Sequence, residues 1–261
     1  TPYKGQLKLH HILGLLFLLP ITTFTYSGLM SMGSFGVPDD KTSYGEQLEQ
    51  YQGLTSISAF KQQWLGLSSL KEQLGLFPET REVIWYWVDG KLNHYFVDQN
   101  NQRQLFQPKS FANVKQQAIE QLTAILPNSP EPKVELLTGY NRYYYAHHKA
   151  PMLPVLRIQF NDIDQSWFYV DWQTGQLLQR QTTHSRTMRW LYHGLHRLDF
   201  PWLINNRPLW DITVILLSLI GFIFSISAVI IAWRYLRNPK KRSIKFFKPT
   251  HKTFKALRGH S

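Results

Sequence analysis

Residues 212–233 read ITVILLSLIGFIFSISAVIIAW, and residues 234–261 continue RYLRNPKKRSIKFFKPTHKTFKALRGHS. The first stretch is 22 residues long and carries no charge. At about 1.5 Å of rise per residue, a helix of that length covers the roughly 30 Å of a bilayer's hydrocarbon core. The second stretch holds ten Lys and Arg and no Asp or Glu. Cations beside a span are retained on the cytoplasmic side, so Arg234, Arg237, Lys240, Lys241 and Arg242 predict a carboxyl end inside the cell.

A second span is expected over residues 12–33, where Leu13, Leu15, Leu16, Phe17, Leu18, Leu19, Ile21, Phe24 and Leu29 occur with no charge among them. A secretory signal peptide has a shorter apolar core, about 7–15 residues, so a retained helix is the expectation. Pro20 is tolerable there because hydroxyls such as those of Thr22, Thr23, Thr25 and Ser27 can satisfy carbonyls inside a membrane helix. Lys4 and Lys8 precede this stretch, and Asp39 and Asp40 follow it. Both ends of the chain are therefore expected in the cytoplasm, with the middle in the periplasm of a bacterial inner membrane. The chain opens on Thr1 almost directly before an apolar run, which reads as a processed start or as part of a longer protein.

The tail accounts for +10 of the formal net charge of +12. A basic run touching a span is explained by topology and by anionic lipid head groups, worth about 1 kcal/mol per cation near the surface. No nucleic-acid partner is expected, because no recognised nucleic-acid motif accompanies the charge. The absence of cysteine excludes disulfides, thiolate metal sites, iron–sulfur clusters and covalently attached haem. There is no nucleophile elbow, His-Glu-x-x-His, phosphate loop or Gly-x-Gly-x-x-Gly, so hydrolase, kinase and nicotinamide readings have no support, and any chemistry is borrowed from a cofactor.

In the middle, residues 55–74 place Ile57, Phe60, Trp64, Leu67, Leu70 and Leu74 at helical spacing. Residues 82–88 and 92–97 read as strands joined by the hairpin signal Asp89-Gly90. Residues 98–104 turn the chain. A second helix is marked by Phe111, Val114, Ala118, Leu122 and Ile125, followed by expected strands at 134–146, 153–160 and 166–171. Helix then strands occurs twice, so residues 55–107 and 108–182 read as two repeats, each packing a helix on an antiparallel sheet. The closing turns are alike: Tyr95-Phe96-Val97-Asp98 with Leu105, and Phe168-Tyr169-Val170-Asp171 with Leu177.

Trp167-Phe168-Tyr169-Val170-Asp171-x-x-Thr174-Gly175-x-Leu177 resembles the signature of PepSY domains, a strand ending at Asp, a Thr-Gly turn, and a resumed strand. Leu9-His10-His11-Ile12-Leu13-Gly14-Leu15 resembles the His-x-x-x-Gly opening of a PepSY-associated membrane helix. The closing part, with Tyr192-His193-Gly194-Leu195-His196-x-Leu198-Asp199-Phe200-Pro201 and Arg207-Pro208-Leu209-Trp210-Asp211, is similar to the approach to that family's last helix. The resemblance covers most of the chain. It implies an α+β protein with two transmembrane helices flanking a periplasmic domain of PepSY-like units: residues 1–11 cytoplasmic, 12–33 a span, 34–184 periplasmic, 185–207 a juxtamembrane His-containing helix and connection, 208–234 a span, and 235–261 a basic cytoplasmic tail.

Larger members of that family have about four membrane helices, and some resemble siderophore-iron reductases whose helix-borne histidines hold b-type haem. That resemblance implies haem b as cofactor, His10, His11, His193 and His196 as candidate iron ligands, and Arg207 as a candidate propionate partner. Gly14, one turn from His10, would leave room for a flat macrocycle. The bland readings stay open beside these: His10 and His11 as an interfacial pair touching head groups, His193 and His196 as hydrogen-bonding residues that tie the domain to the membrane, and Arg207 paired with Asp211 four residues on. His193 and His196 are three apart and on a helix share a face. His10 and the His193/His196 pair are expected at opposite faces of the bilayer, so they cannot share one iron. Each haem would then need a second ligand, from a further helix pair, a neighbouring His or a second copy of the chain. His147 and His148 read as an exposed turn.

Two functions follow as expectations. One is membrane electron transfer, or metal or siderophore reduction, through His-ligated b-haem, running from the cytoplasmic to the periplasmic face. The other is a non-catalytic anchored module that binds, inhibits or scaffolds a periplasmic or membrane protein, with Trp85-Tyr86-Trp87 and Tyr143-Tyr144-Tyr145 as interaction surface.

Overall fold

The computed structural model of the chain describes residues 3–33, 36–53, 55–145 and 151–237. His147, His148, His251, His260 and the basic tail beyond residue 237 lie outside the described residues. The fold is α+β, with two small antiparallel sheets and two helices long and apolar enough to cross a membrane. It divides into two units, residues 1–24 with 206–261, and residues 25–205.

The first unit is built on helix α1 (Gln6–Met32), up to Phe24, and on the last helix of the chain, Arg207–Arg237. Helix α1 begins six residues before the expected start of the span, and the last helix runs three residues past its expected end. Thr22 and Thr23 bond back to the carbonyls of Leu18, Leu19 and Pro20 at 2.8–3.0 Å, which keeps both hydroxyls satisfied on an apolar helix. The two helices interlock at small residues. A methyl group on Gly14 would sit 3.2 Å from the Phe224 ring, and one on Gly221 would sit 3.1 Å from the Phe17 ring. Each helix thus offers a glycine where the other inserts a phenylalanine, the close packing that holds helices together where burial from water supplies no drive. Leu16, Leu19, Ile215 and Val229 stay more than 60 % exposed, an apolar surface suited to lipid.

In the second unit, α2 (Tyr44–Gln52) is followed by α3 (Ile57–Gln63) and α4 (Gly66–Leu76). The single helix expected over residues 55–74 is two, because Trp64 leaves the helix with extended backbone and Gly66 takes φ +77°. Strands β1 (Thr80–Val88), β2 (Lys91–Asp98) and β3 (Arg103–Gln104) form the first sheet in that order. Helix α5 (Phe111–Ile125) leads into the second sheet, β4 (Lys133–Leu137), β5 (Val155–Gln159), β6 (Trp167–Asp171) and β7 (Leu177–Gln181), also in chain order. The strand expected at 134–146 stops at Leu137. Beyond it the Asn141 side chain accepts the Tyr143 and Tyr144 N–H groups at 2.8 Å and folds the chain into a loop.

The main core lies between α5 and the second sheet. Val114, Ala118 and Leu122, at helical spacing, pack on Leu156, Ile158, Phe168 and Val170, with Tyr51 of α2 closing the end. Tyr51 is 1 % exposed and its hydroxyl donates to the Gly175 carbonyl at 2.7 Å. On the first sheet, Ile84, Tyr86, Val88, Tyr95 and Val97 line one face. The other face is aromatic: the rings of Phe60, Trp64, Trp85 and His94 pack in stacked, tilted and T-shaped pairs at 4.6–6.2 Å. Trp85 and Tyr86 are therefore packing residues of the domain, as is Tyr144, 1 % exposed and stacked on Tyr169 at 4.8 Å. Of the two aromatic runs, Tyr86 and Tyr144 are buried, while Trp85, Trp87, Tyr143 and Tyr145 keep part of their surface exposed.

The two similar turns are alike in geometry. Asp98 Oδ1 accepts the Asn100 N–H, and its own N–H donates to Gln102. Asp171 Oδ1 accepts the Gln173 N–H, and its N–H donates to Gln176, one residue further on. Asn101 at φ +62° and Gly175 at φ +76° supply the left-handed residue of each turn. The units they close differ, three strands against four. Arg103 of β3 pairs with the fully buried Asp171 of β6, so an ion pair links the sheets.

After β7 come α6 (Thr183–Met188), a π-helical turn (Arg189–Gly194) and α7 (Leu195–Arg197), which Leu198 ends with φ +54°. A short α8 (Pro201–Ile204) starts on its proline, and α9 (Arg207–Arg237) is the long apolar helix described above.

Candidate functional site

His10 lies in the second turn of α1. Its Nδ1 is 2.7 Å from the Ser227 hydroxyl of α9, and its ring stacks on Phe224 at 4.5 Å and 7°. Ser227 is 5 % exposed and donates its own proton to the Phe224 carbonyl at 2.6 Å. The hydrogen of the His10–Ser227 bond therefore comes from the imidazole. In the neutral ring Nδ1 carries it, and Nε2 keeps its lone pair. Gly14 does leave room next to His10, but the Phe224 ring fills it. His11 has Tyr3 as its aromatic neighbour, at 5.0 Å.

His196, within the other unit, has similar surroundings. Its Nδ1 is 3.2 Å from the hydroxyl of Ser27, which is fully buried, its Cε1 lies 3.6 Å from where a methyl on Gly28 would be, and its ring stacks on Tyr192 at 5.2 Å. Each of the two histidines thus meets a serine hydroxyl and an aromatic ring. His193 differs. The π-helical turn runs through it, and Arg197 approaches its Nδ1 at 3.4 Å. The Tyr192 ring lies against both His193 and His196, at 5.3 and 5.2 Å. Arg207 is 3.7 Å from Asp211 and lies over Trp210, as the bland reading had it.

Among the described residues no group of three or more His, Cys, Asp or Glu is placed to hold a metal ion. His10 is an imidazole whose Nδ1–H is anchored, the arrangement metal-bound histidines adopt.

Two buried polar groups escaped the sequence reading. Asp164, 5 % exposed, accepts the N–H groups of Lys41 and Thr42 at 2.8 and 2.9 Å, the Thr42 hydroxyl at 2.6 Å and Arg180 at 2.9 Å. Burial raises its pKa, but the bonds from Thr42, Lys41 and Arg180 outweigh that and hold it below the ordinary carboxylate value. Arg189, 4 % exposed, donates to the carbonyls of Arg142 and Asp199 and lies over the Tyr145 ring at 4.2 Å. Burial lowers its pKa against the opposing pull of Tyr145 and Asp199. Arginine is ordinarily read as surface, and neither sequence spacing nor composition marks these as interior.

No protein-family model, no curated protein and no solved structure matches this chain.

Proposed function

We propose that this is a PepSY-type protein of a bacterial inner membrane, with both ends cytoplasmic and the α+β domain periplasmic, that serves membrane electron transfer or metal reduction. His10 and His196 would each hold a b-type haem through one imidazole, and the haem would supply the one-electron chemistry. The second ligand of each comes from outside the described residues, from a further helix pair or a second copy of the chain. The observation that carries the reading is the hydrogen bond between His10 Nδ1 and a serine whose own proton is committed to Phe224. It fixes the ring and leaves Nε2 as the basic nitrogen, and an imidazole on an apolar helix of membrane length is a functional feature by default. Ser227 and Ser27 orient the rings, and Phe224 and Tyr192 shield them from water.

The test is the visible spectrum of the protein extracted from its native membrane in mild detergent with its co-purifying subunits, oxidised and dithionite-reduced. His10→Gln and His196→Gln are each expected to remove part of the reduced-minus-oxidised signal. A folded protein with no such signal would reject the assignment.

A second reading, an anchored binding module, is favoured by a cleft of about 510 Å³ walled by Gln73, Tyr86, His94, Phe106, Asn113 and Gln173. Its amides and aromatic rings suit a neutral polar ligand. If that reading holds, partner binding survives His10→Gln unchanged.

A further inference from the structure

Tyr143, Tyr145, Arg189, His193, Arg197 and Asp199 line a concavity of about 250 Å³ beside the π-helical turn. Such turns are rare and often occur at functional sites, because the extra residue shifts side chains out of helical register. Here it includes Arg189 and His193 and ends three residues before Arg197.

The hydrogen-bond directions around the pocket are settled by chemistry. A guanidinium cannot accept, so in the 3.4 Å contact between Arg197 Nη1 and His193 Nδ1 the arginine donates. His193 Nδ1 is then the acceptor, and the neutral ring carries its hydrogen on Nε2. Burial and the charge of Arg197, with a smaller push from Arg189, hold the His193 pKa below the ordinary imidazole value against the pull of Asp199. The ring is therefore neutral at pH 7. The Tyr143 hydroxyl oxygen accepts from Trp190 Nε1 at 3.3 Å, which leaves the tyrosine's own O–H as a donor. Arg189 Nε and Nη2 are committed to backbone carbonyls, while Nη1 is buried with no hydrogen-bond partner. Two guanidinium groups stand against the single carboxylate of Asp199, whose Oδ2 accepts the Tyr145 hydroxyl at 3.4 Å. Donors of three chemical kinds and a net positive charge thus wall a cavity that holds a small group, and Arg189 Nη1 behind them is one of several buried polar atoms without a hydrogen-bond partner among the described residues.

We propose that this pocket binds a phosphate-type oxyanion, through Arg197, His193 Nε2–H and the Tyr143 hydroxyl, with Arg189 as the fixed charge behind them. A tetrahedral oxyanion has acceptor oxygens in several directions and so matches donors that come from different elements. The site does not depend on haem. The same chemistry is presented by free phosphate and by a phosphomonoester lipid head group.

The experiment is calorimetric titration of inorganic phosphate into the intact chain in detergent, with acetate as the planar control and nanodiscs containing phosphatidic acid as the lipid arm. Saturable phosphate binding is expected. Tyr143→Phe and His193→Ala should each weaken it about three- to tenfold, the loss of one neutral hydrogen bond, and Arg197→Gln should weaken it more. Tyr143→Phe keeps the ring on Trp167 and Trp190, so a folding defect is not expected to confuse the result. Far-ultraviolet circular dichroism of each variant checks this. If phosphatidic acid competes with phosphate, a lipid head group is a ligand; if it does not, the ligand is soluble, and both results support the site. No saturable binding by the folded wild type, equal affinity for acetate, or unchanged affinity in all three variants would overturn it.

Discussion

Asp164, in the loop between β5 and β6, pairs with Arg180 of β7, and together they meet the backbone of Lys41 and Thr42, which follow α1 in the chain. Removing one partner of such a buried pair strands the other charge, at a cost of about 3–5 kcal/mol. Asp164→Asn is therefore expected to lower the unfolding midpoint of the protein sharply, with Arg180 still buried. The pH dependence has a definite sign. The folded-state pKa of Asp164 is lowered, so the unfolded chain takes up the proton first as pH falls. The stability it contributes is complete above the ordinary carboxylate value and is lost as pH drops through the lower, folded one. Wild type should lose stability over that acid window by more than Asp164→Asn, measured by denaturant unfolding at a series of pH values. Equal slopes would argue against the role assigned to this carboxylate. At the site, His10 and His196 were visible in the sequence as residue types, but their serines were not. The His10–Ser227 and His196–Ser27 contacts join residues 217 and 169 positions apart, and no local pattern encodes such a pairing.

Elements were legible where an apolar period or turn chemistry marks them. Asp89-Gly90 does close a hairpin, with φ +57° and +67°, and Val114, Ala118 and Leu122 do form the buried stripe of α5. Helix α2 was missed because YGEQLEQYQ is short and mostly polar, with Tyr44, Leu48 and Tyr51 its only apolar residues. Its start was nevertheless signalled by Ser43-x-x-Glu46, and the Ser43 hydroxyl does cap the Glu46 N–H. The split of the 55–74 helix was unreadable, since periodicity continues through Trp64 and Leu67 while the backbone turns. The end of α2 carries a sharp prediction. Gly53 has φ +76°, and a methyl there would lie 2.5 Å from the Gly90 N, where Gly90 donates to Gln52 at 2.7 Å. Gly53→Ala must distort either the helix end or the hairpin, so it should cost more than about 1 kcal/mol in denaturant unfolding. A neutral effect would mean that α2 does not dock on that turn.

For the whole molecule, two long apolar helices enclose a packed α+β domain in the sequence, and the orientation rests on the charges beside them. The chain has no cysteine, so single introduced ones report unambiguously. Asn128→Cys, on an exposed loop of the domain, should react with a membrane-impermeant maleimide in cells with a permeabilised outer membrane, whereas Ser243→Cys in the basic tail should react only after lysis. The reverse labelling would invert the topology. The central claim concerns the histidines, and the most direct measurement is the reduced-minus-oxidised visible spectrum of the native-membrane extract, wild type against His10→Gln. The account predicts α and β bands of a bis-histidine haem that diminish in the variant. A folded wild-type protein without those bands, or a variant spectrum identical to wild type, would contradict it.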